Sequence, residues 1–121
     1  MSIRVLIVDD HDLMRETVRS FLESLPGVEV VGEAKNGRVA VQLARENKPT
    51  VVIMDVIMPE MDGIEATRLI TTEMPQVKVI AFSMHDDEAC RDSLRQAGVS
   101  CFVSKRYALE ELIRAIEAVI A

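Results

Sequence analysis

At 121 residues, 49% hydrophobic and 28% charged, the chain is sized for one globular domain, residues 1–121, with a single core. A formal charge of −6 and a pI near 4.9 argue against direct nucleic-acid contact, and the absence of tryptophan with only 3% aromatics removes stacking platforms for single strands. Cys90 and Cys101 have no CxxC spacing, which excludes a disulfide framework or zinc site and fits reduced thiols in a cytoplasmic protein.

The chain opens on Arg4-Val5-Leu6-Ile7-Val8, a strand closing on Asp9-Asp10-His11-Asp12, too short and too soon acidic for a signal peptide. No apolar run reaches the length of a membrane span. Helical spacing of Met14, Val18, Phe21, Leu22 and Leu25 follows over 13–25 and stops at Pro26-Gly27. Asp12 is the expected cap of this helix, and His11 is expected to be a loop residue rather than a ligand or base. Residues 28–34 form a second strand. Asn36-Gly37 caps a helix that Lys48-Pro49 ends.

Residues 50–55 are an unbroken apolar run ending in Asp55, the pattern of a strand buried on both faces. A loop with Pro59 and Asp62-Gly63 leads into a helix over 63–74. A fourth strand over 77–82 ends at Ser83. A polar helix over 86–97 carries only Cys90, Leu94 and Ala97 as an apolar stripe, and Gly98 closes it. His85-Asp86-Asp87-Glu88 reads as a solvated helix start, with acids favoured by the dipole. A short strand over 101–104 precedes Lys105, and a last helix covers 108–121. Strict alternation predicts an α/β fold with a parallel sheet and helices on both faces. The expected form is a flavodoxin-like, doubly wound (βα)5 domain with a five-stranded parallel sheet, taken in the order 2-1-3-4-5.

In that order the ends of strands one and three lie side by side at the switch point, where ligands bind in open α/β sheets. Asp9, Asp10 and Asp55 would converge there, with Ser83 and Lys105 arriving from strands four and five. Three close carboxylates call for a cation, and hard oxygen ligands with open positions suit Mg²⁺. A carboxylate beside Mg²⁺, a hydroxyl and an ammonium is arranged to attack phosphorus and hold a phosphoryl group. The rival view, in which Asp9 and Asp10 only cap a helix, Ser83 is a turn serine and Lys105 a surface lysine, needs a coincidence at four strand ends.

Val8-Asp9-Asp10, Asp55 through Gly63, Ser83 and Lys105, in that order, resemble the receiver domain of two-component response regulators over essentially the whole chain. Val8-Asp9-Asp10-His11 further resembles the NarL/FixJ-type subfamily, whose members carry a C-terminal LuxR-type helix-turn-helix output domain. The resemblance implies that Asp55 accepts a phosphoryl group from a sensor histidine kinase or phosphotransfer protein. It implies that Asp9, Asp10, Asp55 and the Ile57 backbone carbonyl hold Mg²⁺. Lys105 then contacts a phosphoryl oxygen, Ser83 is the switch hydroxyl and Phe102 the aromatic switch, so that the face around the fourth helix repacks. The domain catalyses only its own phosphorylation and dephosphorylation, and its output is transcription.

The sequence departs from the pattern at Arg106, where a proline often follows the lysine, and at Met84, where a small residue usually follows the serine. Ile57 offers no group to orient water, which predicts slow loss of the phosphoryl group. A stand-alone receiver acting by protein contact is the nearest alternative. A haloacid-dehalogenase-type phosphatase would want an acid at position 57, and a flavodoxin-like binding module a phosphate loop in place of Asp9-Asp10-His11-Asp12. Dimerisation through the first or fifth helix is left open.

Overall fold

The computed structural model describes residues 2–106 and 109–121. Its elements run β1 (Ile3–Val8), α1 (Asp12–Glu23), β2 (Val28–Ala34), α2 (Gly37–Asn47), β3 (Val51–Met54), α3 (Gly63–Glu73), β4 (Lys78–Ser83), α4 (Glu88–Ala97), β5 (Cys101–Ser104) and α5 (Leu109–Ile120). All paired strands are parallel, as the alternation predicts, and their order is the expected β2-β1-β3-β4-β5. Parallel pairing requires a crossover after each strand, and the helices supply it while covering both faces.

The pleat divides the core. Leu6, Val8, Val52, Met54 and Val79 point to one face and pack with Ala40, Val41 and Ala44 of α2 and Ala66 and Ile70 of α3. Val5, Ile7, Ile53, Ile80 and Phe82 point to the other, against Val18 and Leu22 of α1 and Leu112 and Ile116 of α5. With both faces covered, β3 is buried at every position, which is why it reads as a continuous apolar run. The β1–β2 register slips between Val5 and Leu6, which pair with Val30 and Gly32, so Val31 is a bulge.

Element ends follow local chemistry. Asn36 accepts from the Val39 backbone N–H at 2.9 Å and caps α2. Asp87 caps α4 by accepting from the Cys90 N–H, so that helix starts at Glu88 rather than 86. Gly98 ends α4 at φ +99°, a conformation that suits glycine. The first helix stops at Glu23, two residues short of expectation, because Pro26 disfavours helical backbone just before it; Leu25 packs with the core beside α1 instead.

One expected cap is corrected. His11, not Asp12, holds the cap position of α1, and no side chain caps the helix there. Asp12 is already helical, and its carboxylate is drawn to Arg15, one turn on, at 2.6 Å. The start expected for the last helix at Ala108 lies outside the described residues. No helix is long and apolar enough to cross a membrane among the described residues, and Cys90 and Cys101 are free thiols.

Candidate functional site

The carboxyl ends of β1, β3, β4 and β5 meet in one crevice of about 330 Å³, lined by Asp10, His11, Asp55, Ile57, Met84, His85 and Lys105. Asp9 and Asp55 follow their strands directly and are nearly enclosed. The sheet continues one bond past each. The Asp9 N–H donates to the Ala34 carbonyl at 3.0 Å, and the Asp55 N–H to the Val8 carbonyl at 3.0 Å. The two acids are therefore set by the same ladder that builds the core.

Lys105 ties them together. Its ammonium, 6% exposed, lies 2.5 Å from Asp9 Oδ2 and 3.2 Å from Asp55 Oδ2. Asp55 Oδ1 accepts from the Val56 N–H at 2.8 Å. Burial pushes the Asp55 carboxyl above its usual range; Lys105 opposes this, and Asp9 adds to it. Asp10 Oδ1 is buried with no hydrogen-bond partner among the described residues, although His11 Nδ1 stands 3.1 Å away without the alignment of a bond. Three carboxylates against one ammonium leave this crevice two formal negative charges.

A divalent cation fits those observations. One ligand atom from each of Asp9, Asp10, His11 and Asp55 lies within 4.8 Å of the others. The donors are mainly hard oxygens, and the unpartnered oxygen of Asp10 belongs to the cluster's polar lining.

Ser83 is fully buried at the end of β4, paired across the sheet with Ser104. Its Oγ accepts from the His85 N–H at 3.0 Å and so closes the turn out of the strand. Phe102, opposite Ala81 on β5, belongs with Val56, Ala81 and Leu94 in a small apolar cluster under α4. The Arg91 guanidinium of α4 covers its ring at 4.4 Å.

Residues 5–117 match the family model of the response regulator receiver domain. The chain is 42% identical over 119 residues to response regulator GacA of Pseudomonas aeruginosa, covering 98% of this chain and 56% of GacA. It is 42% identical over 117 residues to response regulator UvrY of Escherichia coli, covering 97% of this chain and 54% of UvrY. Among solved structures it is similar to a LuxR-family two-component response regulator from Aurantimonas sp. SI85-9A1, at 39% identity and a TM-score of 0.93, covering 98% of this chain and 85% of that one. The chain belongs to the response-regulator receiver family.

These relatives bear out the NarL/FixJ-type resemblance read from Val8-Asp9-Asp10-His11. The receiver spans a little over half the length of the curated relatives it matches. Membership places it in signalling rather than metabolic catalysis.

The receiver brings Asp9, Asp10, Asp55 and Lys105 into direct contact or ligand range, while Ser83 and Phe102 stand on the neighbouring strands. Ile57 presents its side chain outward, 58% exposed. All peptide bonds among the described residues are trans, including the one entering Arg106.

Three residues support the site in ways the sequence does not assign: His11 is expected only as a loop residue, Gly63 only as part of a turn, and Arg15 only as a residue of the first helix. His11 Nδ1 stands 3.2 Å from Asp9 Oδ1, inside the acidic cluster rather than apart from it. A Cβ at Gly63 would come within 1.9 Å of the Asp55 carbonyl oxygen, so the loop after β3 folds back on the acid only with glycine there; the Gly63 N–H donates to the Val56 carbonyl at 2.6 Å. Arg15 reaches the Asp9 backbone from α1. The Asp62-Gly63 pair was a visible turn signal for the second of these. Nothing in periodicity points to the other two.

Proposed function

We propose that the receiver takes a phosphoryl group onto Asp55 from a phosphohistidine of a sensor kinase or phosphotransfer protein, and that this switches the face around α4. The observation that supports it best is Lys105 bridging Asp9 and Asp55 beside the unpartnered oxygen of Asp10. The carboxylates of Asp9, Asp10 and Asp55 and the Ile57 carbonyl would hold Mg²⁺, which neutralises their charge and draws a phosphoryl oxygen into place.

Asp55 is the nucleophile. A carboxylate oxygen attacks phosphorus, the phosphorus–nitrogen bond breaks, and its electron pair stays on the departing imidazole. The reaction needs positioning and charge neutralisation more than covalent help. Lys105 exchanges its bond to the Asp55 carboxylate for one to a phosphoryl oxygen. Ser83 gives up the His85 N–H and donates its hydroxyl to another. Phe102 then moves toward the space Ser83 vacates, and α4 repacks. The phosphoryl group biases this equilibrium only by its differential affinity for the two arrangements, a coupling of about 1–3 kcal/mol.

Leu13 (76% exposed) and Met84 (50% exposed) line a groove of about 450 Å³ beside the crevice, together with Met14 and Thr17. This apolar rim suits the partner helix that carries the phosphohistidine. The receiver acts in the cytoplasm and catalyses only the gain and loss of its own phosphoryl group. In a longer regulator its output is DNA binding and transcription by a C-terminal domain. An aspartyl-nucleophile phosphatase is disfavoured, because the outward Ile57 supplies no acid.

The test is incubation with a small phosphodonor and Mg²⁺, read by intact mass. A single phosphoryl adduct is expected, absent in Asp55→Asn and without EDTA-resistant formation. Steady donor turnover with no adduct would favour the phosphatase instead.

A further inference from the structure

β2 is the strand that ends without a polar group in the crevice, yet its Glu33 holds the centre of an ion-pair network. Arg15 Nε donates to Glu33 Oε1 at 3.2 Å, and Arg19 donates to the other oxygen. The Arg15 guanidinium is only 13% exposed and is used on three sides. Its Nη2 donates to Asp12 Oδ1 at 2.6 Å, and its Nη1 donates to the backbone carbonyl of Asp9 at 2.7 Å. Partial burial works against this charge, but the bonds to Asp12 and Glu33 keep its pKa above the ordinary value.

The contact with Asp9 sits at a particular place. The Asp9 N–H, one residue past β1, still donates to the Ala34 carbonyl at the end of β2, and the Asp9 carbonyl lies beyond that last tie. The Asp9–Asp10 peptide links the two acids, so holding it limits where their carboxylates can aim, and Lys105 offsets the charge of Asp9 but forms no ion pair with Asp10. A guanidinium anchored at its far side by Glu33 and Asp12 can hold that peptide without touching the cation.

We infer that Arg15, braced by Glu33, is a positioning residue for the cation site: it holds the Asp9–Asp10 peptide in its metal-ready orientation and so sets Mg²⁺ affinity. The inference rests on the proposal that Asp9, Asp10 and Asp55 hold Mg²⁺. Arg19 separates this role from simple stability, because it shares Glu33 and also pairs with Glu23 but does not reach Asp9.

The experiment is an amide NMR titration with Mg²⁺ of wild type, Arg15→Gln, Glu33→Gln and Arg19→Gln, with thermal melting in EDTA alongside. Arg15→Gln should weaken Mg²⁺ binding roughly 10-fold, the low end for residues that orient metal ligands. Glu33→Gln should weaken it less, and Arg19→Gln less than about 2-fold, the order following reach toward Asp9 rather than any loss of melting temperature. Arg15→Gln binding Mg²⁺ as wild type does would overturn the inference and leave the cation site standing. So would Arg19→Gln weakening it equally, since the network would then act only through stability. A wild-type chain that binds no Mg²⁺ would overturn the cation site itself, and this inference with it. If Arg15→Gln does not fold, Glu33→Gln against Arg19→Gln makes the same comparison, and equal affinities overturn the inference.

Discussion

The two sides of the crevice are held in different ways. On the β1 side, Asp9 has its N–H on Ala34, its carbonyl on Arg15 and its carboxylate on Lys105 and the His11 N–H. On the β4 side, the Ser83 carbonyl accepts from the Lys105 N–H, but its side chain has only the uncharged turn bond from the His85 N–H among the described residues; α4 buries Leu94 and Ala97, with Leu94 in a small apolar cluster. A receiver must keep its acids fixed while something nearby moves. Strong charge-assisted bonds on one side and sparse apolar packing on the other divide those tasks.

The largest expected effect comes from breaking the tight side. Lys105→Met would leave Asp9 and Asp55 buried without their shared cation. Removing one partner from a buried ion pair costs roughly 3–5 kcal/mol, because the abandoned charge stays desolvated. Urea unfolding in EDTA should show a loss of that size, partly restored by Mg²⁺. A loss under about 1 kcal/mol would mean that the acids are not held by charge, and the contrast between the two sides would fail.

Asp55→Asn tests the same side with the opposite sign. Burial raises the Asp55 carboxyl in the folded state, so the folded chain binds that proton more tightly than the unfolded chain does. The associated stability is present below the ordinary carboxylate range and is lost as pH rises through the raised value. Asn cannot ionise and does not lose it, while Lys105 keeps Asp9 as a partner. In EDTA the variant should melt a few degrees above wild type at neutral pH, and the gap should close toward acid. Equal melting at pH 7 would show that Lys105 fully offsets the burial.

Much of this was legible beforehand, and the reason lies in the pleat. Asp9, Asp55 and Ser83 each end an apolar run, so strand order alone brings them together, and the alternation of elements constrains that order. The supports were not legible. Arg15 and Glu33 lie 18 residues apart and meet only because β2 lies beside β1. Gly63 matters through a close approach to the Asp55 carbonyl, which a turn signal does not specify. Asp12 read as a cap because composition cannot tell a carboxylate that bonds backbone from one that bonds an arginine one turn on. His11 turned out to point at acids for the same reason: periodicity sets the direction of side chains on elements, not in the loops between them.

The loose side should respond weakly but locally. Arg91→Ala removes the cover from Phe102, a half-buried cation–π contact of about 0.5–1 kcal/mol, and with it the bond from Arg91 Nε to the Asp86 carbonyl. Amides of α4 and β5 should then exchange about 2–5-fold faster, while those of β1 and α1 hold steady. A uniform change across the sheet would mean that α4 does not open separately.

The smallest expected effect concerns how long the signal lasts. Met84 is half exposed at the mouth of the crevice, facing the same opening as Ile57 and His85. A water attacking the Asp55 phosphoryl group has to enter through that mouth, and none of the described side chains there is acidic except Asp10 and Asp55 themselves. Under the proposed reaction two features would slow hydrolysis: Ile57 cannot orient the water, and the Met84 side chain would crowd its path. Met84→Ala removes only the second, so the phosphoryl group should be lost a few-fold faster, measured as decay of the intact-mass adduct after the donor is removed. The Ala variant should also take up the group no more slowly, since Met84 makes no hydrogen bond to the acids or to Lys105. An unchanged decay would assign the lifetime to Ile57 alone. A slower decay would mean that Met84 admits water rather than excluding it, and the exposed rim would then serve partner docking without shielding the phosphoryl group.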